Sequence, residues 1–336
     1  MSRKRKDLSM AKARRDRIRS EKHVRRSGAS MQPASQIEPP RGHSFAAERT
    51  MREVLALTEG HDFDSFEDLN AKLADLSRSG RLSEKAQAWK QDDPKWRAQE
   101  LAYEAMEADD PLDALRLVDE AQKLDPDCTD AQRLMVSLLP MELDNRIQLM
   151  REVVVKAERN FGERFLEENR GHFWGVLPTR PYMRALQELG ELLAAADKLE
   201  DAIAVYERML ELNPNDNQGV RYALVGLYLA TKQGQSASDL LSRYPGEEDY
   251  TAVFAWGRVI EHWLASRVAD AQSALLRARN VNPFVERYLA GTRKPPGRLP
   301  SSYRPGDDSE AQVAAAELSQ VCLRLPEFTA WLRKQQ

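Results

Sequence analysis

The sequence is poor in the residues that build disulfide frameworks and metal sites. It contains two cysteines, Cys128 and Cys322, which lie far apart and belong to no pair with metal-ligand spacing. Its five histidines are scattered without a catalytic or metal-binding pattern. A glycine-rich phosphate loop and a nucleophile elbow are both missing. The sequence therefore predicts a non-enzymatic protein without catalytic residues, cofactor or metal.

Long apolar segments are also missing. No stretch approaches the roughly 18 apolar residues of a membrane span. Residues 1–26 lack the apolar core of a secretory signal. We therefore expect a cytoplasmic protein that makes no membrane contact.

Charge is distributed unevenly along the chain. Residues 1–26 hold twelve Lys or Arg and three acidic residues, a net of +9, so the total of −3 leaves −12 on the other 310 residues. Because residues 1–26 have few large apolar side chains, we expect a disordered basic arm and a Pro-containing linker over residues 1–42.

Two roles are open for this arm. It could bind the phosphate backbone of nucleic acids without reading their sequence, since it has no aromatic residue to stack on bases. It could equally be a solvated tail. The cations assigned to nucleic-acid contact are Arg3, Lys4, Arg5, Lys6, Arg14, Arg15, Arg17, Arg19, Arg25 and Arg26.

A helical repeat is the clearest feature that is present. Between residues 187 and 214, small residues (Gly190, Ala202), a ring (Tyr206) and a final proline (Pro214) recur at the spacing of two short antiparallel helices. Small residues let the helices cross closely, the ring fills the remaining gap, and the proline ends the second helix. This spacing resembles the tetratricopeptide repeat.

Further copies set the length of the repeat region. An upstream copy spans Gln99–Pro126, and a downstream copy ends at Pro283, which is 69 residues after Pro214 and so about two units of 34. The degenerate unit between them puts Gly226 at its helix crossing. The 88 residues from Pro126 to Pro214 exceed two units by about 20. This surplus predicts an irregular insertion at about 160–181, a segment rich in glycine, proline and aromatic residues.

The expected fold class is all-α, a tetratricopeptide-type α-solenoid of antiparallel helix pairs, because no strand pattern is found. We expect N-terminal capping helices over 43–94, repeats over 95–291, and a Pro-rich link with closing helices over 292–336. The closing helices are predicted at Val313–Leu323 and Pro326–Leu332.

Two longer motifs resemble a particular family. The run Gly171–Met183 and the run Asn213–Tyr222 are similar to a group of bacterial tetratricopeptide proteins, itself similar to the repeat region of the suppressor-of-tumorigenicity seven family. The resemblance implies helical repeats from about Phe63 to Leu332, without an assigned activity. The cysteine-rich module of some members and the membrane segment of the animal family have no counterpart here.

Five polar residues form the candidate partner site. First helices line the inner, concave wall of such a solenoid, so side chains near the starts of two successive first helices would lie together beside helix N-termini and favour a carboxylate or phosphate group. The residues are Arg180, Arg184, Gln187, Asn217 and Arg221. The alternative is that the arginines pair internally with Asp201, Asp216 or Glu188.

These features lead to two functional hypotheses. The first is a non-enzymatic scaffold that binds a peptide or partner protein on the concave face. The second is a nucleic-acid- or ribosome-associated protein tethered by its basic arm. The aromatic cluster of His172, Phe173 and Trp174 would either contact a ligand or pack the insertion onto the solenoid.

Overall fold

A computed structural model of the chain describes residues 45–58, 71, 74, 75, 78 and 93–335. Within these ranges the regular structure is entirely helical, which confirms the all-α fold class. The helices are α1 (Ala46–Thr58), α2 (Pro94–Glu107), α3 (Pro111–Leu124), α4 (Thr129–Leu138), α5 (Leu143–Phe161), α6 (Glu163–Glu168), α7 (Arg180–Ala195), α8 (Leu199–Leu212), α9 (Val220–Ala230), α10 (Gly234–Arg243), α11 (Glu247–Tyr250), α12 (Ala252–Leu264), α13 (Val268–Val281), α14 (Val285–Leu289), α15 (Asp308–Glu317), α16 (Ser319–Arg324) and α17 (Pro326–Arg333).

Five antiparallel pairs form the body of the protein: α2 with α3, α4 with α5, α7 with α8, α9 with α10, and α12 with α13. Local sequence sets their ends. The carboxylates of Asp93 and Asp110 accept backbone hydrogen bonds at the starts of α2 and α3, each with proline as the first helical residue. We call the surface formed by α2, α4, α7, α9 and α12 the first-helix face.

Gly190 and Tyr206 show why the spacing of small residues and rings matters. A Cβ at Gly190 on α7 would overlap the ring of Tyr206 on α8, so only glycine permits this approach. Ala202 on α8 is fully buried. The predicted close crossing of this pair is present.

Gly226 differs from its prediction. The sequence places it at the crossing of α9 and α10, but a Cβ at Gly226 would overlap the backbone carbonyl of Glu317, where α15 ends. The glycine therefore permits the C-terminal helices to approach α9. The helix predicted over 313–323 is also divided, since α15 and α16 meet at Leu318.

The segment predicted as an insertion contains α6 and a 3-10 turn at Leu177–Thr179. Its buried Phe173 packs edge-on against Phe161 and Tyr182, and its backbone N–H donates to the Leu212 carbonyl at 3.1 Å. These contacts anchor the segment to α5, α7 and α8.

Two apolar clusters form the core. The smaller one is rich in alanine and joins α2, α3 and α4, whereas the larger one runs from Val136 to Leu332 and includes the buried residues of α15, α16 and α17. Neither cluster draws a residue from the described side chains of α1.

Candidate functional site

Two arginines of α7 converge on one carboxylate from α1. Arg184 Nη1 donates to both oxygens of Glu48, at 3.0 and 3.1 Å, and Arg180 Nη1 donates to Glu48 Oε1 at 3.3 Å. Glu48 is buried and lies 136 positions before Arg184. A bidentate contact of this kind is directional as well as attractive, so it fixes the position of the carboxylate. We call Arg180, Arg184 and the groups that orient them the arginine site.

A second carboxylate, on α4, also orients Arg184. Asp130 on α4 is fully buried and accepts from Arg184 Nε at 3.0 Å and from Nη2 at 2.5 Å. Gln99 on α2 donates to the same carboxylate at 2.8 Å. Burial alone would raise the pKa of Asp130, but the charges of Arg184 and Arg133 and these hydrogen bonds lower it to about 2. Asp130 is therefore ionised at neutral pH and keeps Arg184 in place.

Aromatic rings line the same site. The Tyr103 hydroxyl on α2 donates to Glu48 Oε2 at 2.9 Å, and its ring stacks on Phe45 with centroids 4.8 Å apart. The Arg184 guanidinium lies 5.6 Å from the centre of the Phe45 ring. Burial raises the pKa of Tyr103 and the charge of Glu48 raises it further, so the hydroxyl remains a donor at neutral pH.

The basic side chains of α1 form ion pairs with acidic side chains of α2. Arg49 binds Glu107 at 2.9 Å and Glu100 at 3.0 Å, and Arg52 binds Glu100 at 2.5 Å. The Arg52 guanidinium lies 4.0 Å from the centre of the Trp96 ring. Helix α1 therefore presents an acid to α7 and two bases to α2, and lies across the first-helix face.

Arg221 belongs to a different network. It donates to Asp216 Oδ2 at 2.9 Å and to Glu247 Oε1 at 3.1 Å. The Asp216 carboxylate also accepts the backbone N–H groups of Val220 and Arg221 at 2.9 Å each, which fixes the start of α9. Arg221 shares no partner with Arg180 or Arg184 among the contacts given above.

The other two candidate residues have different surroundings. Gln187 donates to Glu191 at 3.2 Å and accepts from Gln218 at 2.8 Å, which ties α7 to the segment before α9. Asn217 is exposed. The structure therefore brings Arg180 and Arg184 onto one carboxylate, places Gln187 one turn further along α7, and gives Arg221 and Asn217 surroundings of their own.

The internal pairing that was the alternative interpretation is seen for Arg221 with Asp216. The other two suggested acids bind elsewhere: Asp201 pairs with Arg151, and Glu188 pairs with Arg133 at 2.8 Å. Sequence reasoning missed Glu48, Tyr103 and Asp130 as members of the site. No local pattern identifies them, because each lies at least 54 positions from Arg184 in the sequence.

A second electrostatic feature lies where α15 ends. Burial, followed by the charge of Glu188, raises the pKa of Glu191 on α7 to about 7. Burial, followed by the charge of Glu191, raises the pKa of Glu317 on α15 to about 7. Two carboxylates that repel each other therefore lie between α7 and the C-terminal helices.

The aromatic residues of the insertion differ in their burial. Phe173 is buried, whereas Trp174 is half-buried with the Arg180 guanidinium 5.1 Å from its ring centre, and His172 is exposed. Arg180 Nε also donates to the Trp174 carbonyl at 3.0 Å. The insertion therefore helps to orient Arg180.

Residues 193–253, which contain α8 to α11 completely, match the family model of the tetratricopeptide repeat. The chain carries a tetratricopeptide repeat. Tetratricopeptide repeats commonly mediate protein–protein interaction and are typically non-catalytic. No curated protein matches the sequence, so the resemblance to the suppressor-of-tumorigenicity seven family stays a prediction.

Other classes of site receive no positive support. Within the described ranges no helix is long and apolar enough to cross a membrane, and no three metal-ligating side chains are grouped. Burial raises the pKa of Cys128 to about 12 and that of Cys322 to about 11, so neither thiol is a ready nucleophile. The basic arm, with its ten named cations, lies outside the described residues.

Proposed function

We propose that this protein is a non-enzymatic scaffold that binds a partner protein on its first-helix face, at the arginine site. The observation that carries the proposal is that Arg180 and Arg184 bind a carboxylate supplied from outside the helix pairs. Buried Asp130 and the Trp174 carbonyl orient the two guanidinium groups from within the pairs. A preorganised pair of arginines recognises a carboxylate with little further loss of side-chain entropy.

The neighbouring polar groups favour a polypeptide over a small molecule. The arginine site is bordered by the acids Glu100 and Glu107 of α2 and by the ring of Tyr103. Such an alternation of positive, negative and aromatic groups along successive first helices matches a segment with charges of both signs, as in other helix-in-groove recognition.

Site-specific photo-crosslinking tests this function. A photoreactive residue replaces Gln187, one turn beyond Arg184 on the first-helix face, in the full-length protein. The matched control carries it at Leu276, an exposed position on the second helix α13. After irradiation in the native extract, mass spectrometry should identify a protein attached at position 187 and none at position 276. Attachment only at position 276, or at neither, would contradict the proposal.

A further inference from the structure

We infer that α1 is an intramolecular occupant of the arginine site. The partner that displaces it presents a helix with the same charge pattern, which is a glutamate followed in the sequence by two arginines. In α1 these residues are Glu48, Arg49 and Arg52. This inference rests on the proposed function and deepens it, because it names the class of ligand and a reason why access to the site is controlled.

The contacts of α1 are complementary in charge on both sides. Its acid meets the two arginines of α7, and its two bases meet Glu100 and Glu107 of α2. This reciprocal arrangement fixes both the direction and the register of the helix on the face. A partner helix that repeats the arrangement would make the same contacts, whereas a helix with the reverse charges would be repelled.

Ion pairs dominate the contacts described for α1. Of the described side chains in residues 45–56, Glu48 alone is buried, while Met51 is exposed. Neither apolar cluster draws on these residues. The contacts of its described side chains given above are mainly ion pairs, which are weak when partly exposed and are screened by salt. Helix α1 is therefore among the elements that open at the lowest free energy.

The site remains organised when α1 leaves. Asp130 and Gln99 come from α4 and α2, so Arg184 keeps its orientation without Glu48. Arg180 keeps its contacts with Trp174 but loses the carboxylate it pairs with in the described part of the chain. The open site consequently holds one arginine charge more than its acids neutralise, and an external carboxylate can supply the missing partner.

A closed and an open state of α1 limit the apparent affinity for any competing helix. The apparent dissociation constant is the intrinsic constant divided by the fraction of molecules whose site is open. A change that releases α1 should raise affinity for an external helix without changing the arginine site itself. The change in the apparent dissociation constant therefore measures the change in the fraction of open molecules.

The experiment uses full-length protein and a fluorescent peptide with the sequence of residues 45–58. The variant Glu48→Gln releases α1 from the arginines. Thr50→Ala, at an exposed position on the same helix whose hydroxyl bonds only within α1, is the matched control. A second peptide with glutamine in place of Glu48 controls for charge recognition.

In wild type, hydrogen exchange should show α1 protected at low salt and less protected at high salt. In the Glu48→Gln protein, α1 should exchange faster while α7 and α8 are unchanged, and the peptide should bind about tenfold tighter or more. The Thr50→Ala protein should behave as wild type, and the glutamine peptide should bind none of the three. Unchanged protection of α1 in the variant, or faster exchange without tighter binding, overturns the inference.

A second variant covers the case in which Glu48→Gln disturbs folding. Arg49→Ala with Arg52→Ala loosens α1 from α2 and leaves the arginine site untouched, so it should also expose α1 and tighten peptide binding. The two proposals fail in different ways. If α1 does not control access to the arginine site, crosslinking at position 187 still identifies a partner. If the scaffold function is wrong, no partner is crosslinked although the peptide binds.

Discussion

Helix α1 and the C-terminal helices α15, α16 and α17 lie against the same first-helix face, but different forces hold them. The ion pairs of Glu48, Arg49 and Arg52 attach α1. The C-terminal helices instead bury apolar side chains in the larger core cluster, among them Leu318 and Phe328. Charge attachment is directional and is screened by salt, whereas apolar burial is stronger and is not screened by salt.

This difference divides the face into two regions. The part formed by α9 and α12 is closed by the chain itself, because Gly226 admits the end of α15 and Trp263 packs against Phe328 at 5.4 Å between ring centres. The part formed by α2, α4 and α7 is covered by a helix whose described side chains join neither apolar cluster. Access for a partner is therefore expected at the arginine site rather than near α12.

The largest effect is expected for Phe328→Ala. Phe328 is fully buried between Trp263 and Trp331, so its truncation leaves a cavity and should cost about 3–5 kcal/mol of unfolding free energy. Urea denaturation at equilibrium measures this loss. Leu323→Ala, at an exposed position on α16, should change stability little. Similar effects for both variants would show that the C-terminal helices are not held by apolar burial.

A moderate effect that depends on pH is expected for Glu317→Gln. Because the pKa of Glu317 is raised to about 7 in the folded protein from its ordinary value of 4.5, the folded state resists ionisation. The wild-type protein therefore loses stability from this group as the pH rises from about 4.5 to about 7, and the loss persists above that range. Glutamine removes the loss.

The variant should accordingly be more stable than wild type by about 1–3 kcal/mol at pH 8, with a clearly smaller difference at pH 5. Thermal unfolding at the two pH values measures this change. Glu120→Gln, on the exposed side of α3, serves as the control and should show no such dependence. An equal gain at pH 5 and pH 8 would contradict the proposed electrostatic origin.

The smallest effect is expected for Arg49→Ala. Its ion pairs with Glu100 and Glu107 are partly exposed, so their loss should cost less than about 1 kcal/mol, and less still in high salt. Urea denaturation at low and high salt checks both statements. A loss as large as that of Phe328→Ala would show that α1 is part of the folded core and would remove the contrast between the two regions.

Much of the fold was predictable because its signals are local. Gly190, Ala202 and Tyr206 lie within one helix pair, and the structure packs the glycine against the ring as predicted. A proline follows the ends of α3, α8, α10 and α13 by two residues in each case, whereas α5 ends at Phe161 without one. Gly226 was assigned to the wrong neighbour because its actual contact is made by Glu317, 91 residues later in the sequence.

For the candidate site, the sequence predicted Arg180 and Arg184 as members but did not predict Glu48 and Asp130 as the acids they contact. Arg180 and Arg184 are recognisable because they lie one helical turn apart at the start of a first helix. Glu48 carries no such pattern. The 136 positions that separate it from Arg184 contain many other acids, and nothing in the local sequence favours Glu48 over them as the partner of Arg184. Tertiary packing alone places Glu48, rather than another acid, beside the two arginines.

The sequence by itself determined the all-α fold class and the close crossing of α7 with α8, because helix capping, small-residue crossings and terminal prolines act within about 34 residues. The tertiary structure alone decided that α1 lies on the arginine site and that α15 to α17 close the far part of the face. Such contacts depend on where distant segments meet. Once two segments meet, burial of apolar side chains and pairing of buried charges select the arrangement of lowest free energy.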